Sequence, residues 1–176
     1  MKRLLLTAIL ALSAVIAFAG NPLKIVNGKD QVKTIMKENT TVVVEFDWSQ
    51  AKYDNKKTLK EQWEGDYDYI VNDCEESFIK GFNENAKKLK MAKEADNAKY
   101  KFVLTVTNID RFFAAMAFIP QHEAKMWGTL TIVDIASNQT LAEVRIDEAE
   151  DGQHVDVKQC FGETFEELGE KIAKLR

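Results

Sequence analysis

The amino-acid sequence predicts a single α+β (or α/β) domain, a mixed sheet of about four strands with two main amphipathic helices packed on one face. The chain has 176 residues, 45% of them hydrophobic and 30% charged, which is typical of one globular domain. Four segments are rich in β-branched and aromatic residues, as strands are. Two long segments instead repeat apolar residues at steps of three and four, as helices with one buried face do.

The first 19 residues have the layout of a secretory signal peptide. Two basic residues precede an almost unbroken apolar run, which ends in an A-x-A motif at Ala19. The alternative is an uncleaved membrane anchor, but the run is shorter than the about 20 residues that cross a bilayer. We predict cleavage between Ala19 and Gly20, so that residues 1–19 are the signal peptide and 20–176 form the domain.

Export and charge narrow the range of partners. No second apolar run of spanning length follows the signal, and no Cys stands directly after it to accept a lipid. Loss of the two basic signal residues lowers the formal net charge of −4 by two, to −6, which argues against a nucleic-acid partner. We therefore expect a protein without a transmembrane segment after signal removal, located in the periplasm or secreted.

The first half of the mature chain predicts a short helix, a strand and a helix start. Asp30 is a candidate cap for the short helix, and the β-branched segment 41–48 is the first strand. Residues 49–57 are polar and resemble a loop. Thr58 and Glu61 have the spacing of a capping box. The apolar positions assigned to the buried side are Val32, Ile35, Met36, Val42, Val44, Phe46 and Trp48.

The second half predicts a long helix, three strands and a closing helix. The strands are 100–109, 125–135 and 140–146, and four residues with turn chemistry join the last two. The inward positions are Tyr67, Ile70, Val71, Cys74, Phe78, Phe82, Ala86 and Leu89 in the first helix, and Val157, Phe161, Phe165, Leu168, Ile172 and Leu175 in the second.

The strand–Asp–turn–strand block of residues 100–146 supports a family resemblance. It reads YKFVLTVTNI and then WGTLTIVDIASNQTLAEVRI, and it resembles small bacterial envelope proteins with TolB amino-terminal or CsgG-like α/β domains, many of them uncharacterised. The resemblance implies this strand and helix layout and no catalytic residues. The chain departs from the pattern at Asn138, where a Gly is usual, and it lacks the lipidated Cys of many such proteins.

The sequence contains no motif for catalysis, metal binding or a cofactor. H-x-x-x-H, C-x-x-C, G-x-S-x-G and the glycine-rich phosphate loops are all absent. One alternative is a weakly bound ion at His122 and Glu123, or at Asp151, His154 and Asp156. The favoured interpretation is that these are solvated loop residues, so no metal ligand, catalytic residue or cofactor is predicted.

Two further groups of polar residues have structural interpretations. Glu45 and Asp47 alternate with Val44 and Phe46, which places the carboxylates on the opposite, solvated side of the strand. Cys74 and Cys160 both fall on apolar helix faces. An oxidising compartment favours a disulfide between them, whereas burial favours two free thiols, and the sequence leaves both possibilities open.

The connection between the predicted strands 100–109 and 125–135 is unusually apolar. Residues 112–119 are eight consecutive apolar residues, although connecting segments normally lie on the surface and are polar. One interpretation is that the segment folds over the open end of the sheet or extends the flanking strands. The other is that it docks on a partner protein, a second copy or a membrane surface. The side chains concerned are Phe112, Phe113, Met116 and Phe118.

These observations predict an exported protein of the cell envelope, a non-catalytic binding or assembly module. Its partner would be another envelope protein or a second copy. The alternative is a small periplasmic hydrolase or ligand carrier, whose site is built from scattered residues.

Overall fold

A computed structural model describes residues 21–116, 119–154 and 156–175. The predicted cleavage site at Ala19 and Gly20 lies outside these residues, as does Phe118, and both assignments stay predictions. The strands are β1 (Leu23–Asn27), β2 (Thr41–Asp47), β3 (Lys52–Tyr53), β4 (Lys57–Thr58), β5 (Lys90–Ala92), β6 (Tyr100–Met116), β7 (Ile119–Asp134) and β8 (Gln139–His154), and the helices are α1 (Lys29–Ile35), α2 (Leu59–Gln62), α3 (Tyr67–Asn85) and α4 (Val157–Ala173).

The prediction of about four strands and two main helices is therefore wrong, although the domain is α+β. The eight strands form one mixed sheet in the order β1–β8–β7–β6–β2–β5, with β3 beside β6 and β4 beside β3. β1, β8, β7 and β6 pair with one another antiparallel, whereas β2 is parallel to β6 and to β5. Because parallel strands need a crossover, the chain from β2 to β6 passes through α2 and α3.

Helices α3 and α4 cover one face of the sheet and form the core with it. Phe46 on β2 meets Phe78 on α3 edge to face, with ring centroids 5.6 Å apart. Trp48 stacks on Phe165 of α4 at 5.4 Å. The predicted inward sides of both helices are confirmed wherever the side chains are described. The fully buried helix residues are Ile70, Cys74, Phe78, Phe82, Cys160, Phe161, Phe165, Leu168 and Ile172.

The two helices cross at unusually short range because each has a glycine at the contact. A Cβ atom built on Gly81 would lie 2.0 Å from the carbonyl oxygen of Glu166. A Cβ on Gly169 would lie 2.2 Å from the carbonyl oxygen of Phe78. Any larger side chain at either position would have to push the helix backbones apart.

The central strands are much longer than predicted. β6 and β7 form one hairpin with Met116 opposite Ile119, so the apolar connection extends the flanking strands instead of interrupting them. β8 likewise continues to His154 instead of ending at Ile146. Pairing with a neighbouring strand supplies backbone hydrogen bonds that the sequence pattern of one segment cannot reveal.

The additional short strands have no detectable periodicity. β3 and β4 have two residues each and β5 has three, so none is long enough to show alternation. The predicted inward Leu89 is buried, but it follows α3, which ends at Asn85 with Ala86 in an extended conformation. None of the helices in the described part of the chain is long and apolar enough to cross a membrane.

Local capping chemistry was predicted with mixed success. The capping box of Thr58 and Glu61 is confirmed, since each side chain bonds the backbone N–H of the other. α1, however, begins at Lys29, two residues earlier than a cap at Asp30 would place it, with Gly28 as the residue before it, in the left-handed region at φ 70°. The turn between β7 and β8 also needs a left-handed residue, and Asn138 adopts φ 54° there without a glycine.

Candidate functional site

The sheet face opposite α3 and α4, here called the open face, is accessible to solvent. None of its side chains is buried, whereas most of their neighbours along each strand point towards the helices and are buried. Glu45 and Asp47 lie on this solvated side as predicted. The open face consists of Val43, Glu45, Asp47, Lys101, Val103, Thr105, Trp127, Thr129, Thr131, Val133, Glu143 and Arg145.

Strand register arranges these residues in rows that run across the sheet. Directly paired residues have Cβ atoms about 5 Å apart on the same face, so each row is a line of contacting side chains. One row crosses four strands and ends on β1, and the next row lies two residues along each strand. The first row is Asp47, Thr105, Thr129, Arg145 and Lys24, and the second is Glu45, Val103, Thr131 and Glu143.

Charge is unevenly distributed over the open face. Along the two rows, the positions on the central strands β6 and β7 are uncharged, and every charge lies on β2, β8 or β1. Threonine presents a methyl group and a hydroxyl group, so the centre can make apolar contacts and hydrogen bonds together. In these two rows the open face thus has an uncharged centre between two charged margins. Charges return on the central strands beyond them, at Lys101 on β6 and at Lys125 on β7.

Trp127 lies at the end of this uncharged stretch, two residues from Thr129 on β7, where two β-bulges meet. On β6 an extra residue, Thr107, stands between Val106 and Asn108, and its hydroxyl donates to the carbonyl oxygen of Trp127 at 3.1 Å. On β8 a second bulge faces the same residue from the other side, with Glu148 at φ 51°. Bulges bend a strand and redirect its side chains, so the two together set the direction of the indole.

The charged margins are partly neutralised by local partners. Lys101 lies 3.0 Å from Glu45, and Arg145 lies 2.7 Å from Asp147. The hydroxyl and backbone N–H of Ser49 donate to Asp47 and hold the pKa of its carboxyl below its ordinary value. A partner would therefore meet ion pairs at the edge of the face rather than isolated charges.

The two histidines are brought together by strand register. His122 on β7 and His154 on β8 are direct backbone partners, and Asp151 pairs with Ala124 nearby. Among the residues whose placement is described, no group of three or more His, Cys, Asp or Glu could hold a metal ion. The favoured placement in loops is wrong for His122 and Glu123, which lie in β7, and for Asp151 and His154, which lie in β8, because strand pairing extends that far. The weak-ion alternative stays untested.

Both cysteines are free thiols in the core. Cys74 and Cys160 are fully buried, on α3 and α4 respectively. Burial raises the pKa of the Cys74 thiol well above its ordinary value, because a thiolate loses its hydration there. A thiol in this environment is a packing group and not a nucleophile.

The apolar segment has strand backbone over the part that is described. Phe112, Phe113 and Met116 belong to β6, and Phe113 pairs with His122. This agrees with the interpretation in which the segment extends its flanking strands. Contact of these side chains with a partner stays a prediction, as does the hydrolase or ligand-carrier alternative.

Comparisons with known proteins identify no family. No family model matches the chain, and neither does any curated protein. Solved structures with a similar arrangement include the PelC dodecamer from Paraburkholderia phytofirmans, at 10% identity and a TM-score of 0.43 over 85% of this chain and 94% of that one. A putative neuraminyllactose-binding hemagglutinin homolog from Helicobacter pylori has 9% identity and a TM-score of 0.35 over 77% and 82%. At these values neither likeness indicates what this chain binds, and the resemblance to TolB and CsgG-like domains stays a prediction.

The open face was not recognised from the sequence, although a signal for it exists. Strands β6 and β7 alternate threonine with large apolar residues, as in LTVT and GTLTI. That alternation indicates a half-solvated strand. Only the register between strands shows that the threonines are neighbours.

Proposed function

We propose that this chain is an exported, non-catalytic binding module that holds a partner protein of the cell envelope on its open face. The supporting observation is the uncharged stretch of β6 and β7 that ends at Trp127, with charged residues beside it on β2 and β8 and Lys125 beyond it. Protein interfaces have this composition, with charged residues depleted at the core, aromatic residues enriched there and a polar rim around it. A tryptophan held at the centre of such a patch is also a common binding hot spot.

The size of the open face bears on how it would bind. From β2 to β8 it spans three interstrand spacings of about 4.8 Å, and its alternate residues repeat about every 6.8 Å along a strand. With side-chain widths included, the face covers roughly 400 Å². A standard interface buries about 800 Å² on each partner, so one open face is too small by itself for a stable complex. Binding would have to extend to neighbouring surfaces.

Site-specific crosslinking in cells of the native host tests this proposal. A photoreactive amino acid replaces Thr129 at the centre of the face, and a second strain carries it at Asn72, which is exposed on α3. We expect an adduct with one defined envelope protein at position 129 and none at position 72. Adding Trp127→Ala should abolish the adduct.

The crosslinking result is interpretable only if the variants fold. The melting temperature of each purified variant provides that control, and Asn72→Lys serves as a matched surface change with no expected effect on capture. Capture that survives Trp127→Ala, or equal capture at positions 129 and 72, would overturn the proposal. Enzymatic turnover by the purified chain that Trp127→Ala leaves intact would also contradict it.

A further inference from the structure

We propose that two copies of this chain join edge to edge, so that β1 of each copy pairs with the distal part of β8 of the other. This self-association goes beyond the open face and does not depend on what binds there. This dimer is supported by two unpaired strand edges, which have opposite charge and lie on the same side of the sheet.

The first edge is basic. β1 is the last strand of the sheet and pairs with β8 on one side only, with no strand on its other side within the described residues. A groove of about 610 Å³ opens beside it, with four lysines and several apolar side chains in its walls. Lys24 and Lys29 are exposed and have no ion-pair partner in the described part of the chain. The other two lysines are Lys171 of α4 and Lys174 directly after it, which pair with Glu167 and Glu170 respectively.

The second edge is acidic. β1 pairs with β8 only up to Ile146, and the N–H of Asp147 donates to the carbonyl oxygen of Pro22 where this pairing ends. From residue 148 to His154, β8 has β7 on one side and no described strand on the other. Four of the five residues 147–151 are acidic. Glu148 and Glu150 are well exposed and share a cation in Lys125.

The two edges form a step that is complementary to itself. β1 covers the part of β8 up to Ile146. Its outer edge therefore projects one strand spacing, about 4.8 Å, beyond the uncovered edge of β8 at residues 148–154. A twofold axis perpendicular to the sheet reverses the step, so that β1 of each copy enters the recess of the other. β1 has five residues and the recess, residues 148–154, has seven, so the lengths match.

The same twofold axis sets the direction of pairing and the charge contacts. β1 is antiparallel to its own β8, and the axis reverses the partner's β8, so β1 would run parallel to that strand. Each set of lysines then faces the acidic segment of the other copy. Direct pairing of two β1 edges would instead bring lysines against lysines. A twofold contact of this kind is closed, so it ends at the dimer.

The dimer would also enlarge the binding surface. An axis perpendicular to the sheet leaves the helices of both copies on one side and both open faces on the other. Two faces of roughly 400 Å² would form one surface of roughly 800 Å², which reaches the standard interface size. The physical alternative is that the charges only protect an exposed strand edge from aggregation, in which case the chain remains a monomer.

The oligomeric mass of the mature chain at low and high salt decides between these possibilities. We expect a dimer at low salt, weakened at high salt because the contact between the two edges is electrostatic. The double variant Lys24→Glu/Lys29→Glu has two acidic edges, and Glu148→Lys/Glu150→Lys has two basic ones. Each double variant alone should have a dimer dissociation constant at least about tenfold higher than that of the unmodified chain. An equimolar mixture of the two variants should form a mixed dimer, because acidic edges then face basic ones.

A matched control changes the same number of charges elsewhere. Lys56→Glu/Lys57→Glu lies in the β3–β4 hairpin, where both lysines are exposed, and it should leave the dimer intact. A monomer at low salt, an open series of larger species, or failure of the mixture to recover the dimer would overturn the proposal. Trp127→Ala should leave the dimer mass unchanged, so failure of this proposal and failure of the open-face proposal are separable.

Discussion

Replacing Gly169 with alanine tests the close crossing of α3 and α4, on which the shape of the core depends. The new Cβ would lie 2.2 Å from the carbonyl oxygen of Phe78 and 2.8 Å from the backbone nitrogen of Phe82, both below the 3.0 Å that real Cβ contacts respect. These obstacles are backbone atoms, which cannot rotate away as a flexible side chain can. The helices must therefore separate by roughly 1 Å to restore ordinary contact distances.

The expected cost combines two opposing contributions. Overpacking of a close-packed core costs about 1–3 kcal/mol, and replacing a helical glycine by alanine returns about 1 kcal/mol. We expect the overpacking cost to lie in the upper part of its range, because moving α3 also disturbs the packing of the buried Phe78 and Phe82 rings against the sheet. The net loss in the free energy of unfolding is then about 1–2 kcal/mol, a fall in melting temperature of about 2–8 °C for a domain of this size.

Thermal and urea unfolding of the mature chain measure this loss. Gly65→Ala is the matched control, because nothing lies within 4 Å of its Cβ and its φ is outside the left-handed region. It should be neutral or slightly stabilising. Gly81→Ala should cost as much as Gly169→Ala, and the double variant less than the sum, because one separation of the helices relieves both contacts. A Gly169→Ala protein as stable as Gly65→Ala would refute the close crossing.

Three further predictions concern buried and surface polar groups. Asn108→Ala should lower the unfolding free energy by about 1–3 kcal/mol in urea titrations, because the buried Asn108 accepts a hydrogen bond from the backbone N–H of Asn55 at 2.9 Å; an unchanged midpoint would contradict this. Cys74 and Cys160 should resist a thiol reagent in the native state and both react in denaturant without reductant, whereas two unreactive thiols there would reveal a disulfide. Backbone and hydroxyl hydrogen bonds lower the pKa of Asp134, so its contribution to stability is present above about pH 4 and is lost as the pH falls through the lower folded value. Asp134→Asn should therefore flatten the dependence of melting temperature on pH in that acid range, and an unaltered curve would count against it.

The sequence by itself determined the elements whose signal is local. The buried sides of α3 and α4 follow from apolar spacing, and the inward face of β2 follows from alternation around Phe46. The capping box of Thr58 and Glu61 depends on residues three apart, so it too could be predicted. In each case the interacting residues lie within a few positions of one another, and a linear pattern records them.

The tertiary structure alone decided what depends on distant residues. β5 has three residues and exists because β2 supplies its hydrogen bonds, and the distal part of β8 is held by β7. The contact of Gly169 with Phe78 joins helices 91 positions apart, and Thr105 and Thr129 become neighbours only through the hairpin register. The open face and the stepped edge are therefore products of strand order and register. No segment of the chain encodes either alone, because the backbone hydrogen bonds that set them are made between segments.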